Sequence, residues 1–219
     1  MKPTLLFDLD GTLVDSRMDI AQAINHAIEL YGGIKAPIES VLPYIGTTLE
    51  ATFQGLMHEP SPETIEACTD EYKSYYFDHC DVYSKPFAGV KQTLTQLRGH
   101  RMAVVTTKRS YMAQQLLQKM DLAEHFELIL GTDPDILPKP DPALILRACD
   151  LLECEPRRSV LIGDTEYDIR AAHAAGCKVI AALYGFGDPQ QLEQLDPDAV
   201  AQSFDQISGL IRRLFSDQP

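Results

Sequence analysis

Positive charge is scarce in this 219-residue sequence: 19 Lys and Arg face 32 Asp and Glu, for a formal net charge of -13 at pH 7. Nucleic-acid affinity rests on clustered cations that release counterions from the phosphate backbone, so no nucleic-acid partner is expected. The five cysteines (Cys68, Cys80, Cys149, Cys154, Cys177) are odd in number and contain no Cys-x-x-Cys pair. Neither a disulfide framework nor a zinc site is indicated, and the thiols read as reduced ones in a cytosol. Long hydrophobic runs are missing as well. The first apolar run, Leu5-Leu6-Phe7, stops at Asp8 and is too short for a signal peptide or a membrane span, so a cytoplasmic protein without a membrane partner is expected. There is no low-complexity tract and no internal repeat.

What is present is an ordinary globular composition, 45% hydrophobic and 23% charged, long enough for one generous domain or a core with a smaller insertion. If the ligand is an anion, the overall field repels it. Attraction then has to come from a bound metal ion and a few placed cations.

Short apolar runs end repeatedly in polar clusters. Thr4 to Asp8 leads into Asp-Leu-Asp-Gly-Thr, Met102 to Thr106 into Thr107-Lys108, and Ser159 to Ile162 into Gly163-Asp164; Lys178 to Leu183 reads as a further strand. Helical spacing lies between them, at Val90 to Leu97, at Met112, Leu116 and Met120, at Ala143 to Leu152, and at Ile169 to Ala175 before Gly176. The alternation predicts an α/β fold, a parallel doubly wound sheet with helices on both faces and its ligand site at the carboxyl ends of the strands. From Arg17 to Ser84 the alternation breaks. Helical spacing continues (Ile20, Ile24, Ala27, Ile28; Ile65, Cys68, Tyr72, Tyr75, Tyr76) without a convincing strand, which predicts an inserted helical unit with joints at Asp15-Ser16 and Ser84-Lys85-Pro86. Ser61 and Pro62 fit the N-cap and first position of one of its helices.

Four segments can carry chemistry. In Asp8-Leu9-Asp10-Gly11-Thr12-Leu13-Val14-Asp15-Ser16, strand alternation points Asp8 and Asp10 the same way. Two close carboxylates repel unless a cation lies by them or one is protonated, and such a pair can divide nucleophilic attack on phosphorus from proton exchange with a leaving group. A solvated Asp-Gly turn accounts for Asp10-Gly11 alone, not for the whole string. Val104-Val105-Thr106-Thr107-Lys108 ends in hydroxyls able to bond phosphate oxygens, although a polar strand exit has the same look. In Leu137-Pro138-Lys139-Pro140-Asp141-Pro142 the flanking prolines fix an extended backbone, so Lys139 reads either as a held cation for a phosphoryl group or as an incidental lysine of a proline-rich loop. Ile162-Gly163-Asp164-Thr165-Glu166-Tyr167-Asp168 places a second carboxylate four residues after the first. Asp164 and Asp168 can reach one hard cation, Mg²⁺ rather than zinc or copper because no His or Cys joins them. Alternatively Asp168 is a first-turn helix acid favoured by the dipole.

With the four segments in this order, the chain resembles the haloacid dehalogenase superfamily of phosphohydrolases over essentially its full length, and within it the phosphoglycolate phosphatase-like group. That resemblance implies a Rossmann-like catalytic core (1–16 and 84–219) and a helical cap (17–83). It implies Asp8 as nucleophile and Asp10 as general acid and base. It further implies Mg²⁺ held by Asp8, the Asp10 carbonyl and Asp164, with Asp168 assisting directly or through water, and the phosphoryl group bound by Thr106, Lys139 and backbone N–H groups around Gly11 and Thr107. The expected partner is a small phosphorylated metabolite, phosphoglycolate first. Substrate choice is expected near Tyr44-Ile45-Gly46-Thr47, with Arg17 and Lys108 as nearby cations. Thr107 departs from the asparagine common in the group, which weakens the expectation of phosphoglycolate specifically. Asp10 disfavours haloacid dehalogenases and phosphonatases, which lack an acid there. A β-phosphoglucomutase-like isomerase, a pyrophosphatase or nucleotidase, and a non-catalytic binding protein are the rival readings, and the oligomeric state is left open.

Overall fold

The computed structural model describes residues 2–216. Its strands are β1 (Thr4–Phe7), β2 (Val14–Asp15), β3 (Lys85–Pro86), β4 (Met102–Val105), β5 (Leu128–Leu130), β6 (Ser159–Gly163), β7 (Lys178–Ala182) and β8 (Ala199–Ala201). Its helices are α1 (Arg17–Leu30), α2 (Ile38–Val41), α3 (Leu49–Leu56), α4 (Pro62–His79), α5 (Val90–Gln96), α6 (Ser110–Lys119), α7 (Ala143–Leu151), α8 (Glu166–Ala175), α9 (Pro189–Gln194) and α10 (Ile207–Phe215). None of the helices among the described residues is long and apolar enough to cross a membrane.

Six strands form one parallel sheet in the order β5-β4-β1-β6-β7-β8. Strand alternation explains how it is clothed. Leu5, Phe7, Val104 and Ile162 face a core layer shared with α5, α6 and α10, whereas Leu6, Ala103, Val105 and Leu161 face a layer filled by α7, α8 and α9. A sheet covered on both faces needs apolar residues at every position, which is why these strands read as continuous hydrophobic runs. The sheet is therefore the doubly wound α/β type expected, with β1 between β4 and β6 at its centre.

The edge strands β5 and β8, three residues each, have no counterpart in the sequence reading. Between β2 and β3 lie only helices, α1 to α4, packed by Ile20, Ile24, Ile28, Phe53, Ile65, Cys68, Tyr72 and Tyr76 and continuous with the first core layer. β2 and β3 pair antiparallel, Val14 with Pro86 and Asp15 with Lys85, so the chain leaves and returns side by side. The buried Asp19 of α1 accepts hydrogen bonds from the N–H groups of Tyr83 and Ser84 and from Ser84 Oγ (2.7–3.1 Å), fastening the returning chain. In α4, Ser61 caps the helix by accepting from Thr64 N–H at 3.2 Å, with Pro62 in the first turn.

Candidate active site

The carboxyl ends of β1, β4 and β6 are neighbours, and each delivers polar residues to one place. Asp8 follows β1, its backbone tied to Ile162 of β6 (N···O 2.8 Å). Asp164 follows β6. Asp168 turns back to the same point because it is the third residue of α8, where it closes a capping box: Thr165 N and Oγ1 donate to its Oδ2 at 3.0 and 2.6 Å. The dipole-favoured acid and the candidate ligand are thus one residue. Carboxylate oxygens of Asp8, Asp164 and Asp168 lie within 4.8 Å of one another, and all three residues are buried.

Lys139 enters this group from its proline-flanked loop. Its Nζ donates to Asp8 Oδ1 (2.7 Å), Asp168 Oδ1 (2.5 Å) and the Val105 carbonyl (3.2 Å). Asp164 is held separately, accepting from Thr12 Oγ1 at 2.7 Å and from Phe186 N–H at 2.8 Å. Glycines permit this closeness, Gly11 and Gly185 among them. A Cβ on Gly11, whose φ is +86°, would stand 2.1 Å from Asp164 Oδ2, and one on Gly185 would stand 2.2 Å from Asp164 Cβ.

Burial raises the Asp8 pKa from its ordinary 3.8 to about 7; Lys139 opposes the rise and Asp168 adds to it. Asp164 is pushed well above the usual carboxylate range by burial and then by Asp8 and Asp168. Burial disfavours the Lys139 ammonium, yet Asp168 and Asp8 together outweigh it and hold its pKa above the ordinary value. With three carboxylates ionised beside one ammonium, two negative charges stay uncompensated in a buried site, a costly state unless protons or a cation balance them. An all-oxygen donor set with that charge fits a hard divalent ion.

The Asp10 carboxylate stands apart from this group. It accepts from Ser16 Oγ at 2.5 Å and contacts Lys108 Nζ at 2.9 Å (Oδ1) and 2.8 Å (Oδ2). Thr106 is buried, its N–H on the Leu130 carbonyl at 3.0 Å and its Oγ1 accepting from Lys108 N–H at 3.3 Å. The Thr107 hydroxyl is buried without a partner among the described residues. The Gly11 N–H, an expected phosphate donor, is already bonded to the Val14 carbonyl at 2.9 Å because the loop folds back on itself, so Gly11 contributes space rather than a donor.

A cleft of about 640 Å³ opens over Asp8, Asp10, Thr106 and Thr107. The inserted helices form its other wall, including Tyr44 to Thr47 and Tyr72. Lys108 lines the cleft; Arg17 does not, because its guanidinium pairs with Asp15 at 2.7 Å and lies over the Phe186 ring. Sequence reasoning passed over Thr12, Ser16 and the Gly185-Phe186 loop. The first two stand inside the string it singled out, and the third follows a recognised strand, so position at a strand end was the available signal.

Residues 5–182 match the family model of the haloacid dehalogenase-like hydrolases. The chain is 32% identical to a phosphoglycolate phosphatase of Nitrosospira multiformis over 95% of each chain. It is 30% identical to a Caldanaerobacter subterraneus protein provisionally named a pyrophosphatase, over 98% of this chain and 96% of that one. Among solved structures, a "predicted phosphoglycolate phosphatase" from Haemophilus somnus superposes with a TM-score of 0.89 at 29% identity, covering 95% of this chain and 97% of that one.

Proposed function

The chain belongs to the haloacid dehalogenase-like hydrolases and is a phosphatase, and on that premise we propose that it cleaves a small phosphomonoester, 2-phosphoglycolate first, through an aspartyl-phosphate on Asp8 with Mg²⁺ bound beside it. The observation that carries the reading is the buried group of Asp8, Asp164 and Asp168 with a single ammonium on two of them, an excess of negative charge that a divalent cation would balance. Asp8, Asp164, Asp168 and the Asp10 carbonyl would hold the ion, which when bound supplies charge neutralisation to the phosphoryl oxygens.

The chain's own groups do the rest. Asp8 Oδ1 is engaged by Lys139, leaving Oδ2 to form the bond to phosphorus as the bond to the leaving oxygen breaks. Asp10 gives its proton to that oxygen and later takes one from the water that cleaves the aspartyl-phosphate, so it ends as it began. Lys139 supplies positive charge beside the phosphoryl group, and the Thr106 hydroxyl and the Thr107 N–H hold it, since the group needs positioning and charge neutralisation more than further covalent chemistry. Residues 17–83 act as a cap that closes over the cleft and excludes water, on a core of 1–16 and 84–219.

The test is phosphate release from 2-phosphoglycolate, pyrophosphate, nucleoside monophosphates and sugar phosphates, by wild type and Asp8→Asn, with Mg²⁺ or EDTA. Metal-dependent release that Asp8→Asn abolishes is the expected result. Persistence in Asp8→Asn defeats the aspartyl-phosphate, and a preference for pyrophosphate moves the substrate toward the provisionally named relative.

A further inference from the structure

A second buried cation stands beside the proton-transfer carboxylate, separate from the Lys139 group. Lys108 leaves the end of β4 next to Thr107, and its side chain is 6% exposed. Its Nζ meets both Asp10 oxygens and, at 2.9 Å, the hydroxyl of Tyr76, and it lies 4.2 Å from the Tyr76 ring centroid. Tyr76 belongs to α4 of the inserted unit, is 1% exposed, and stacks on Tyr72 at 5.5 Å. The contacts have a directional result. An ammonium touching both oxygens, with Ser16 on one of them, fixes the plane of the ionised Asp10 carboxylate, the form that takes the proton from water in the second step, and the tyrosine fixes the ammonium.

We infer that Lys108 and Tyr76 are positioning residues for Asp10, linking the orientation of the proton-transfer group to the seating of α4 over the cleft. The inference rests on the reading of Asp10 as acid and base. A shift of α4 carries the Tyr76 hydroxyl with it, loosens Lys108 and frees the carboxylate to rotate. Lys108 then serves a task other than binding the leaving group, and the inserted helices contribute to catalysis as well as to enclosure.

The test is a double-mutant cycle on ethyl phosphate, whose alkoxide leaving group needs a proton and offers no carboxylate for Lys108 to bind. Lys108→Met should lower kcat by about 100-fold, as misplacement of a catalytic group does, with KM changed by less than about threefold. In Asp10→Asn the same substitution should change kcat by less than about twofold, since nothing remains to position. Tyr76→Phe keeps the ring and should lower kcat by about fivefold while its melting temperature stays near that of wild type. An equal loss from Lys108→Met in both backgrounds would show a structural role and overturn the inference. So would a raised KM for 2-phosphoglycolate at unchanged kcat, which marks substrate binding, or wild-type kcat in Tyr76→Phe, which removes the link to α4 and decides the case if Asp10→Asn has no measurable turnover. Wild-type turnover by Asp10→Asn defeats the acid–base reading itself; impairment there with a silent Lys108→Met defeats only the positioning.

Discussion

Replacing Lys139 by Met tests the charge balance of the site without reference to turnover. Met is unbranched and of similar volume, so the change removes the ammonium and little packing. Breaking a buried ion pair by deleting one partner costs about 3–5 kcal/mol, since the other charge is left buried and unpaired. Here two carboxylates, Asp8 and Asp168, lose their contact. For a chain of this size each kcal/mol moves Tm by about 2–4 °C, so a fall of about 10 °C is expected at pH 8 in EDTA.

The pH dependence follows from the sign of the Asp8 shift. Its folded pKa of about 7 lies above the ordinary 3.8, so between those values the folded protein holds a proton that the unfolded chain has lost. Metal-free stability therefore declines as pH rises through that window. Lys139 opposes the shift, so removing it raises the Asp8 pKa further and prolongs the decline above pH 7. The difference in Tm between wild type and Lys139→Met should accordingly be larger at pH 8 than at pH 5.5, in thermal melts with EDTA. Equal Tm values at pH 8, or a difference that does not shrink in acid, would refute the charge argument.

A Mg²⁺ ion bound by Asp8 and Asp164 would displace the protons that their raised pKa values retain, so its affinity measured by calorimetry should fall below pH 7 by at least about tenfold per pH unit, with proton release on binding in two buffers of different ionisation enthalpy. Gly185→Ala should destabilise the protein by about 1–3 kcal/mol in urea and weaken Mg²⁺ binding, since its Cβ would meet Asp164 Cβ at 2.2 Å. Asp19→Ala leaves the N–H groups of Tyr83 and Ser84 without their acceptor and should cost about 2–3 kcal/mol in urea unfolding. Unchanged Mg²⁺ affinity in Gly185→Ala or unchanged urea midpoints in Asp19→Ala would contradict the corresponding contacts.

The central strands were legible because burial on both faces leaves continuous apolar runs, and their polar ends marked where the site lies. Asp8, Asp164, Asp168 and Lys139 meet there. The edge strands β5 and β8 escaped notice because three residues with one neighbour carry no period to read. The Asp10–Lys108–Tyr76 contacts and the clasp of Asp19 on Tyr83 and Ser84 join residues 32 to 98 positions apart, and only tertiary packing decides such meetings. Arg17 was misplaced for a local reason, since Asp15 two residues earlier captures it before it can reach the cleft. The Gly11 N–H was likewise taken by the turn that Gly11 itself makes possible.

The short ribbon of β2 and β3 also bears on what lengths of chain this fold accepts. Because Asp15 and Lys85 are paired, the ends of the intervening segment are held a strand spacing apart whatever runs between them. Closing a loop on fixed ends costs entropy that grows only with the logarithm of its length, about 0.6 kcal/mol for each doubling. A segment twice as long, provided it folds by itself and keeps the packing of α1 and α4 on the core, would therefore leave the sheet and its row of carboxylates almost as stable as they are now.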